Sequence, residues 1–501
     1  MASTIAAILF ASAMGNWIDR SPTRLPPLLI TVYTNHGAII LAYLTWLSWP
    51  IVVGYGDQTG EAQTPFSSFP RGFLFGLTVL LDIIHDLSAI ANRLSIERDW
   101  VPVLVGPITP DLTYGLTQVN AVMRRLDLIS KLVAPSLLPF IIAIFNSREA
   151  WILLIAGVTA VFWAIEIWCA KVIARENPEL HLPKKPSNDS ATTEDHQIED
   201  RYNRLKPGLH SLPQKIYFVI YQDPLTRLKH YFSMSVWPAS ISESVVEMTV
   251  LAYSSTLITY LLEVNFSLTA ITIARASGTI MALASTFITP IAVNLLSKRR
   301  AKSSSEESAV DSDAIEGSIV RTVGIWGISS QVVCMVGPLK PTFQFSPQRT
   351  NITKIPVVAV LWNLSPKLLT AVISRDFSPY VESDPANPSP HPKLIFPLIL
   401  FTFLSLSRVG HFVFGLMVQE IEQVEIPTSQ RSTFAGTAQS FHSMFVLGHW
   451  AATVVWSKPE QFKWLALGSL GSLTAGMVIF AAWMRRPRRV VEVGYEEVPL
   501  D

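Results

Sequence analysis

Runs of apolar residues close to a membrane's width recur along this chain from one end to the other, separated by polar turns. A hydrocarbon core about 30 Å thick takes about 20 helical residues per crossing. In lipid the backbone must satisfy its own hydrogen bonds, which leaves helices or closed barrels. Barrel strands are shorter and alternate in polarity, and no such alternation occurs here. Charged residues make up only 15% of the 501, against about 25% in soluble domains. The chain is therefore expected to be an all-α polytopic membrane protein whose first partner is the lipid bilayer.

Spans are expected near 1–17, 27–53, 71–96, 115–145, 150–173, 236–262, 267–297, 318–338, 393–419, 432–456 and 461–484, about eleven in all. The stretch 356–373 carries Asn363, Pro366 and Lys367 and reads as a reentrant or surface helix instead. Basic residues collect in cytoplasmic loops. Lys298, Arg299, Arg300 and Lys302 follow the seventh run, and Arg485, Arg486, Arg488 and Arg489 follow the last. With the connector around 174–234 these segments are expected on the cytoplasmic side. The loop 54–70 has no Lys or Arg and reads as outside, as does the Asn351 sequon "NIT".

Five spans precede the connector and six follow it. Two six-span halves joined by such a connector is the plan of major facilitator transporters. The expected division is an N-terminal helical bundle at 1–173, a largely disordered cytoplasmic connector at 174–234, a six-helix bundle at 235–484 with a long extracellular loop at 338–392, and a cytoplasmic tail at 485–501. An odd span count with the C-terminus inside puts Met1 outside. The early charged turn "GNWIDRSPTRL" is then the second-to-third-span turn of a half whose first helix is absent, through a truncated gene model or, alternatively, in the product itself. The connector and tail are expected to be solvated and without chemistry.

Other classes are excluded by composition and motif. A net charge of +1 offers no basic footprint for nucleic acid. Cys169 and Cys334 lie inside apolar runs and read as packed residues. No nucleophile–base constellation or phosphate loop points to an enzyme, and no resident cofactor is expected.

A charge at mid-bilayer costs about 2.5–3.5 kcal/mol on insertion scales, so ionisable residues in spans pair or line a cavity. Asp19 can cap a helix end or pair with an arginine, and Gly15 allows close helix approach. Asp82, His85 and Asp86 share a helical face by their spacing; their donors suit a divalent first-row metal, with a polar stripe satisfied by Arg93 or water as the alternative. Arg124, Asp127 and Lys131 recur at helical spacing as gate or surface anchor. Ser254 and Ser255 fall mid-span. Arg408 sits early in a span with His411 a turn on. His442 and His449 are seven apart, and a neutral imidazole is a common metal ligand.

Together "GNWIDRSPTRL", "SIERDWVPVLVG", "NAVMRRLDLISKLVAPSLLPF", "RASGTIMALAS", "SRVG" and "AQSFHSMFVLGHW…SKPEQF" resemble the ferroportin family of iron exporters, in order and spacing, from residue 1 to about 484. The first of these also resembles the cytoplasmic latch turn of major facilitator transporters. The resemblance implies a major facilitator-type two-bundle fold and export of ferrous iron, with exchange against protons and, in some relatives, other divalent metals. It puts the metal-binding histidine of the eleventh helix at His449 and the arginine opening the tenth at Arg408. It puts gating residues at Arg24, Asp99, Asn120, Arg124 and Asp127, with Asp19 in the latch, and sets Asn35 in place of a glutamine of the third helix.

Other ligands of the family are replaced. The first helix and its aspartate are absent, Ser254 and Ser255 stand for an Asp-Cys pair, Thr159 for an asparagine and Gly415 for an aspartate. Losing carboxylate and thiolate weakens attraction for a divalent cation, though a carrier must also release its ion. Asp82, His85 and Asp86 are expected to compensate. The expected function is export of ferrous iron or a related divalent metal by alternating access, as a monomer, at the plasma membrane or else an internal or vacuolar membrane. The alternatives are a carrier of another small solute or a non-transporting homologue.

Overall fold

The computed structural model describes residues 1–53, 68–106, 115–144, 147–184, 223–252, 255–263, 266–303, 312–336, 395–458 and 461–486. Every regular element among them is a helix. The first bundle holds α1 (Ala2–Arg20), α2 (Leu25–Val53), α3 (Ser68–Leu94), α4 (Val101–Val105), α5 (Leu116–Ile144) and α6 (Arg148–Glu176), with a π-helical turn (Ser95–Trp100) between α3 and α4. After α7 (Asp223–Ser233), the second bundle holds α8 (Trp237–Val246), α9 (Ser255–Glu263), α10 (Leu268–Ser303), α11 (Ser312–Val336), α12 (Ile395–Glu425), α13 (Arg431–Val455) and α14 (Phe462–Met484). The expected 356–373 helix, the 338–392 loop with Asn351, residues 185–222 of the connector and the tail beyond Arg486 lie outside the described residues.

Among the described residues, seven stretches are long and apolar enough to cross a membrane by length and composition. The other four expected spans, 1–17, 115–145, 236–262 and 432–456, are helical but fall short of that measure. For 115–145 and 432–456, polar residues explain it. Helix α5 carries Arg124, Arg125, Asp127 and Lys131, and α13 carries Arg431, His442 and His449. Such groups persist in a membrane where they face protein rather than lipid. The expected single span 236–262 is corrected: α8 stops at Val246 and α9 starts at Ser255. The break is stabilised locally, because Val250 N–H donates to Ser469 Oγ at 2.9 Å. Irregular backbone at this depth is tolerated only with such partners.

The second bundle closes around one continuous apolar core in which Tyr231, Phe414, Phe434 and Phe480 are fully buried. The first has a smaller core around Leu28, Val32, Trp100 and Ala170. Cys169 and Cys334 are free thiols, half-buried and buried.

The most extensive helix pairing crosses from one bundle to the other, α1 along α13. Glycines make it possible. A Cβ at Gly15 would overlap the Ser432 carbonyl oxygen, and one at Gly436 would stand 2.5 Å from the Ala11 carbonyl oxygen. Between them Ser12 Oγ and Thr437 Oγ1 are 2.9 Å apart. A second cross-bundle seam joins α5 to α10 and α12 through Leu128, Ala282 and Phe412. Backbone cannot move aside as a side chain can, so Gly15→Ala should force α1 and α13 apart at a cost of about 1–3 kcal/mol. The expected readout is a lower melting temperature of the purified protein, with increased labelling of a cysteine placed at Thr437.

Candidate functional site

Functional side chains fall into two levels between the bundles and a third within the second bundle. The first is a polar seal at the end where α1, α3 and α5 meet the C-terminal end of α12 and the start of α13. Asp19 reaches across to the first turn of α13. It accepts from Ser432 N–H (3.2 Å), Thr433 N–H (2.6 Å) and the Thr433 hydroxyl (2.8 Å). The first amides of a helix lack intrahelical acceptors and sit at its positive end, so a carboxylate from the other bundle caps α13 in trans. Asp19 lies beyond the 1–17 span. Burial raises its pKa from 3.8 to about 6, against the lowering pull of the Thr433 and Ser432 donors.

The π-helical turn "SIERDW" builds the rest of the seal. Such bulges cluster at functional positions because they re-aim side chains. Here consecutive residues serve opposite partners. Arg98 crosses to α12, with Nη2 2.8 Å from Glu422 Oε2 and Nη1 donating to Gln419 O at 3.0 Å. Asp99 turns back into the first bundle, where Arg24 Nε lies 3.0 Å from Oδ1 and Lys184 Nζ 2.6 Å from Oδ2. The Arg24–Asp99 pair thus joins parts of one bundle. Lys184 belongs to the connector, so the expectation that the connector is without chemistry is corrected at its first residues. Asn120 Nδ2 donates to Gln423 Oε1 at 2.6 Å, Gln423 Nε2 donates to Glu97 O at 2.6 Å, and Thr117 Oγ1 donates to Glu420 Oε1 at 2.7 Å, all across the seam. Glu422, Gln423 and the cross-bundle role of Arg98 escaped the sequence reading; the signal was a run of acids and amides, "QEIEQVE", ending an apolar span.

Above the seal lies a cavity of about 290 Å³ lined from both bundles, among others by Arg124, Asp127, Glu243, Glu247, His411 and His442. Asp127 is held within α5 by Arg124 (3.4 Å) and Lys131 (2.9 Å). Arg124 and Arg408 both stand over the Phe412 ring, at 4.8 and 5.0 Å. A second pocket of about 440 Å³ opens between α1, α3 and α13, with Asp86, Arg93 and His442 in its wall.

His449 sits deeper, at the break between α8 and α9. It is buried and lines neither of these cavities; His442 lines both. Its Nδ1–H donates to the Thr249 carbonyl at 3.2 Å. That leaves the Nε2 lone pair, which lies 3.4 Å from the Thr256 hydroxyl. A backbone acceptor on one ring nitrogen is the usual way a metal-ligating histidine is oriented. Ser255 is exposed and Ser254 lies outside the described residues; Thr249 and Thr256 are the groups brought to the imidazole.

The Asp82, His85 and Asp86 set is divided. Asp82 is exposed, His85 Nδ1 is 3.1 Å from Asn35 Oδ1, and Asp86 faces the second pocket. Among the described residues no three His, Cys, Asp or Glu side chains converge to hold a metal ion. Thr159 bonds back to the Ile155 carbonyl of its own helix at 2.8 Å. A polar knot inside the first bundle also escaped the sequence reading: His36 Nε2 is 2.7 Å from Glu166 Oε2, and Asn92 donates to Glu166 Oε1 at 3.1 Å. The lone carboxylate in "VFWAIEIWCA" was its signal.

The family model described as Ferroportin1 (FPN1) matches residues 1–473. Dog ferroportin is 20% identical over 95% of this chain and 82% of its own length. Solute carrier family 40 member 2 of Arabidopsis thaliana is 22% identical over 85% of this chain and 71% of its own. A bacterial homologue of the iron transporter ferroportin, solved in an outward-facing state, superposes with a TM-score of 0.64 at 18% identity, covering 97% of this chain and 89% of that one. The two helical bundles are thus arranged as in that bacterial homologue.

Two outcomes follow from the seal. Removing one partner of a buried ion pair strands the other charge, at about 3–5 kcal/mol. Arg98→Ala and Glu422→Ala should therefore each unlatch this end, seen as faster labelling of a cysteine at position 120, and the double variant should be less damaged than the sum. The folded pKa of Asp19 lies above its unfolded value, so its contribution is largest below about pH 4 and is lost as pH rises through about 6. The melting temperature of wild type minus that of Asp19→Asn should fall between those pH values and level off above them.

Proposed function

The chain belongs to the ferroportin family, and from that premise we propose that it exports ferrous iron, or a related divalent metal, by alternating access. The sealed end is the cytoplasmic face, where the basic loops lie. Asp19, Arg98 and Asn120 hold the bundles together there while the opposite side admits or releases the ion. Arg24 and Asp99 act one step back, keeping the π-helical turn and the connector's first residues in register so that Arg98 can reach Glu422. The cation is cargo, no resident cofactor is required, and a monomer in the plasma membrane is sufficient for the task.

The observation that carries the metal assignment is the imidazole of His449. It is fixed by the Thr249 carbonyl at a broken helix, with Nε2 turned to the Thr256 hydroxyl and carrying the ring's lone pair. Discontinuous helices supply such sites in secondary transporters, because their freed carbonyls coordinate cations. A neutral nitrogen with hydroxyl and carbonyl neighbours binds divalent iron or manganese without a closed cage, which suits an ion that must leave again.

Purified protein in liposomes, with anaerobic Fe²⁺ or Mn²⁺ outside and a quenchable dye inside, tests this. Uptake above protein-free vesicles is expected, with His449→Ala lowering kcat/KM by about tenfold or more, the effect of losing about 1.4 kcal/mol. Background uptake by wild type would reject metal transport; undiminished uptake by His449→Ala would remove His449 from the site.

A further inference from the structure

The cavity between the bundles contains a carboxylate that the seal leaves unused. Glu243 on α8 and Glu247, the residue that caps its C-terminal end, stand one turn apart, and both line the cavity. Glu247 is matched by His411 of α12, whose Nε2 is 3.4 Å from Oε1. Glu243 has neither a hydrogen bond nor a salt bridge to any described residue. The cations that face it, Arg98 and Arg124, already have carboxylates of their own in Glu422 and Asp127. Its carboxylate neighbours, Glu247 and Glu422, repel it.

The opposite wall is shaped to admit this side chain. Gly415 follows His411 by one turn on α12, so the face that presents an imidazole to Glu247 presents bare backbone to Glu243. A Cβ at Gly415 would stand 3.1 Å from Glu243 Oε1. The second ring nitrogen of His411, Nδ1, is buried without a partner. His442 adds an imidazole from α13. Two carboxylates and two imidazoles from α12, α13 and the end of α8 thus line one cavity of about 290 Å³.

We propose that Glu243 and Glu247, assisted by His411 and His442, bind the carried divalent cation in this cavity, at a position separate from His449. This rests on the reading of the chain as a divalent-metal carrier. An uncompensated carboxylate in a low-dielectric cavity is costly, and a divalent cation compensates it. Oxygen and imidazole donors together suit manganese and ferrous iron. The four groups do not converge into a cage, so the ion keeps part of its water shell and is held weakly enough to move on.

The test is the concentration dependence of Mn²⁺ uptake by the full chain in liposomes, with melting curves of the same proteins. Glu243→Gln and Glu247→Gln should each raise KM by about tenfold or more, Glu243→Asp should recover most of the loss, and Gly415→Ala should raise KM by crowding the carboxylate. Glu243→Gln replaces an unpartnered carboxyl group by an amide of the same shape, so without metal it should melt at or above wild type, and added Mn²⁺ should no longer raise its melting temperature. Wild-type transport with an unchanged KM in Glu243→Gln overturns the site and leaves the transporter reading standing. A Glu243→Gln protein that melts below wild type without metal also overturns it. Absence of wild-type uptake overturns both.

Discussion

A charge in a low-dielectric interior must find an opposite charge or a hydrogen-bonding partner, and much of this molecule is arranged around that requirement. At the seal, Arg98 finds Glu422 and the Gln419 carbonyl, while Asp99 is shared by Arg24 and Lys184. Each group is largely withdrawn from water, so the pairs are stiff and all-or-none. A change of partner is possible only if whole helices move. This is the property a gate needs: two discrete arrangements rather than a continuum.

The seal works because α1 and α13 meet backbone to backbone. Gly15 and Gly436 remove the side chains that would hold the helices apart. At that separation Asp19 reaches the unsatisfied amides of α13, and Ser12 reaches Thr437. Further from this end the two bundles diverge around a cavity, and the close packing gives way to carboxylates, imidazoles and arginines. The change from dry contact to polar hollow along one interface separates holding from binding. His449 lies away from that hollow, at the broken helix, where a carbonyl freed from α8 finds its partner.

Much of this was legible in the residues. The apolar runs announced helices, and the positions of the polar turns placed most of their ends. Gly15 and Asp19 could be seen as a close approach and a cap, because both roles follow from local chemistry. The family resemblance, not local chemistry, marked Asn120 and Asp99 as gate residues, and nothing in their spacing says that Asn120 faces the other bundle while Asp99 faces its own. Asp99 lies in a π-helical turn, which has no periodic signature, and Asn120 lies on a separate helix, α5. Asp82, His85 and Asp86 share a face on an ideal helix, but packing sends them to three different environments.

What the sequence determined by itself is the solvent of each segment. Hydrophobicity, helix length and basic loops depend on local composition, and these led to a polytopic helical protein in two unequal halves. What only the tertiary structure decided is which polar groups meet. Glu422 and Arg98 are 324 positions apart in the chain, and Gly415 matters only because Glu243 lies opposite it. Such pairings depend on helix rotation and crossing within the packed bundles. That rotation is set by the fit of apolar and small side chains along whole helices, a sum no single stretch of residues contains.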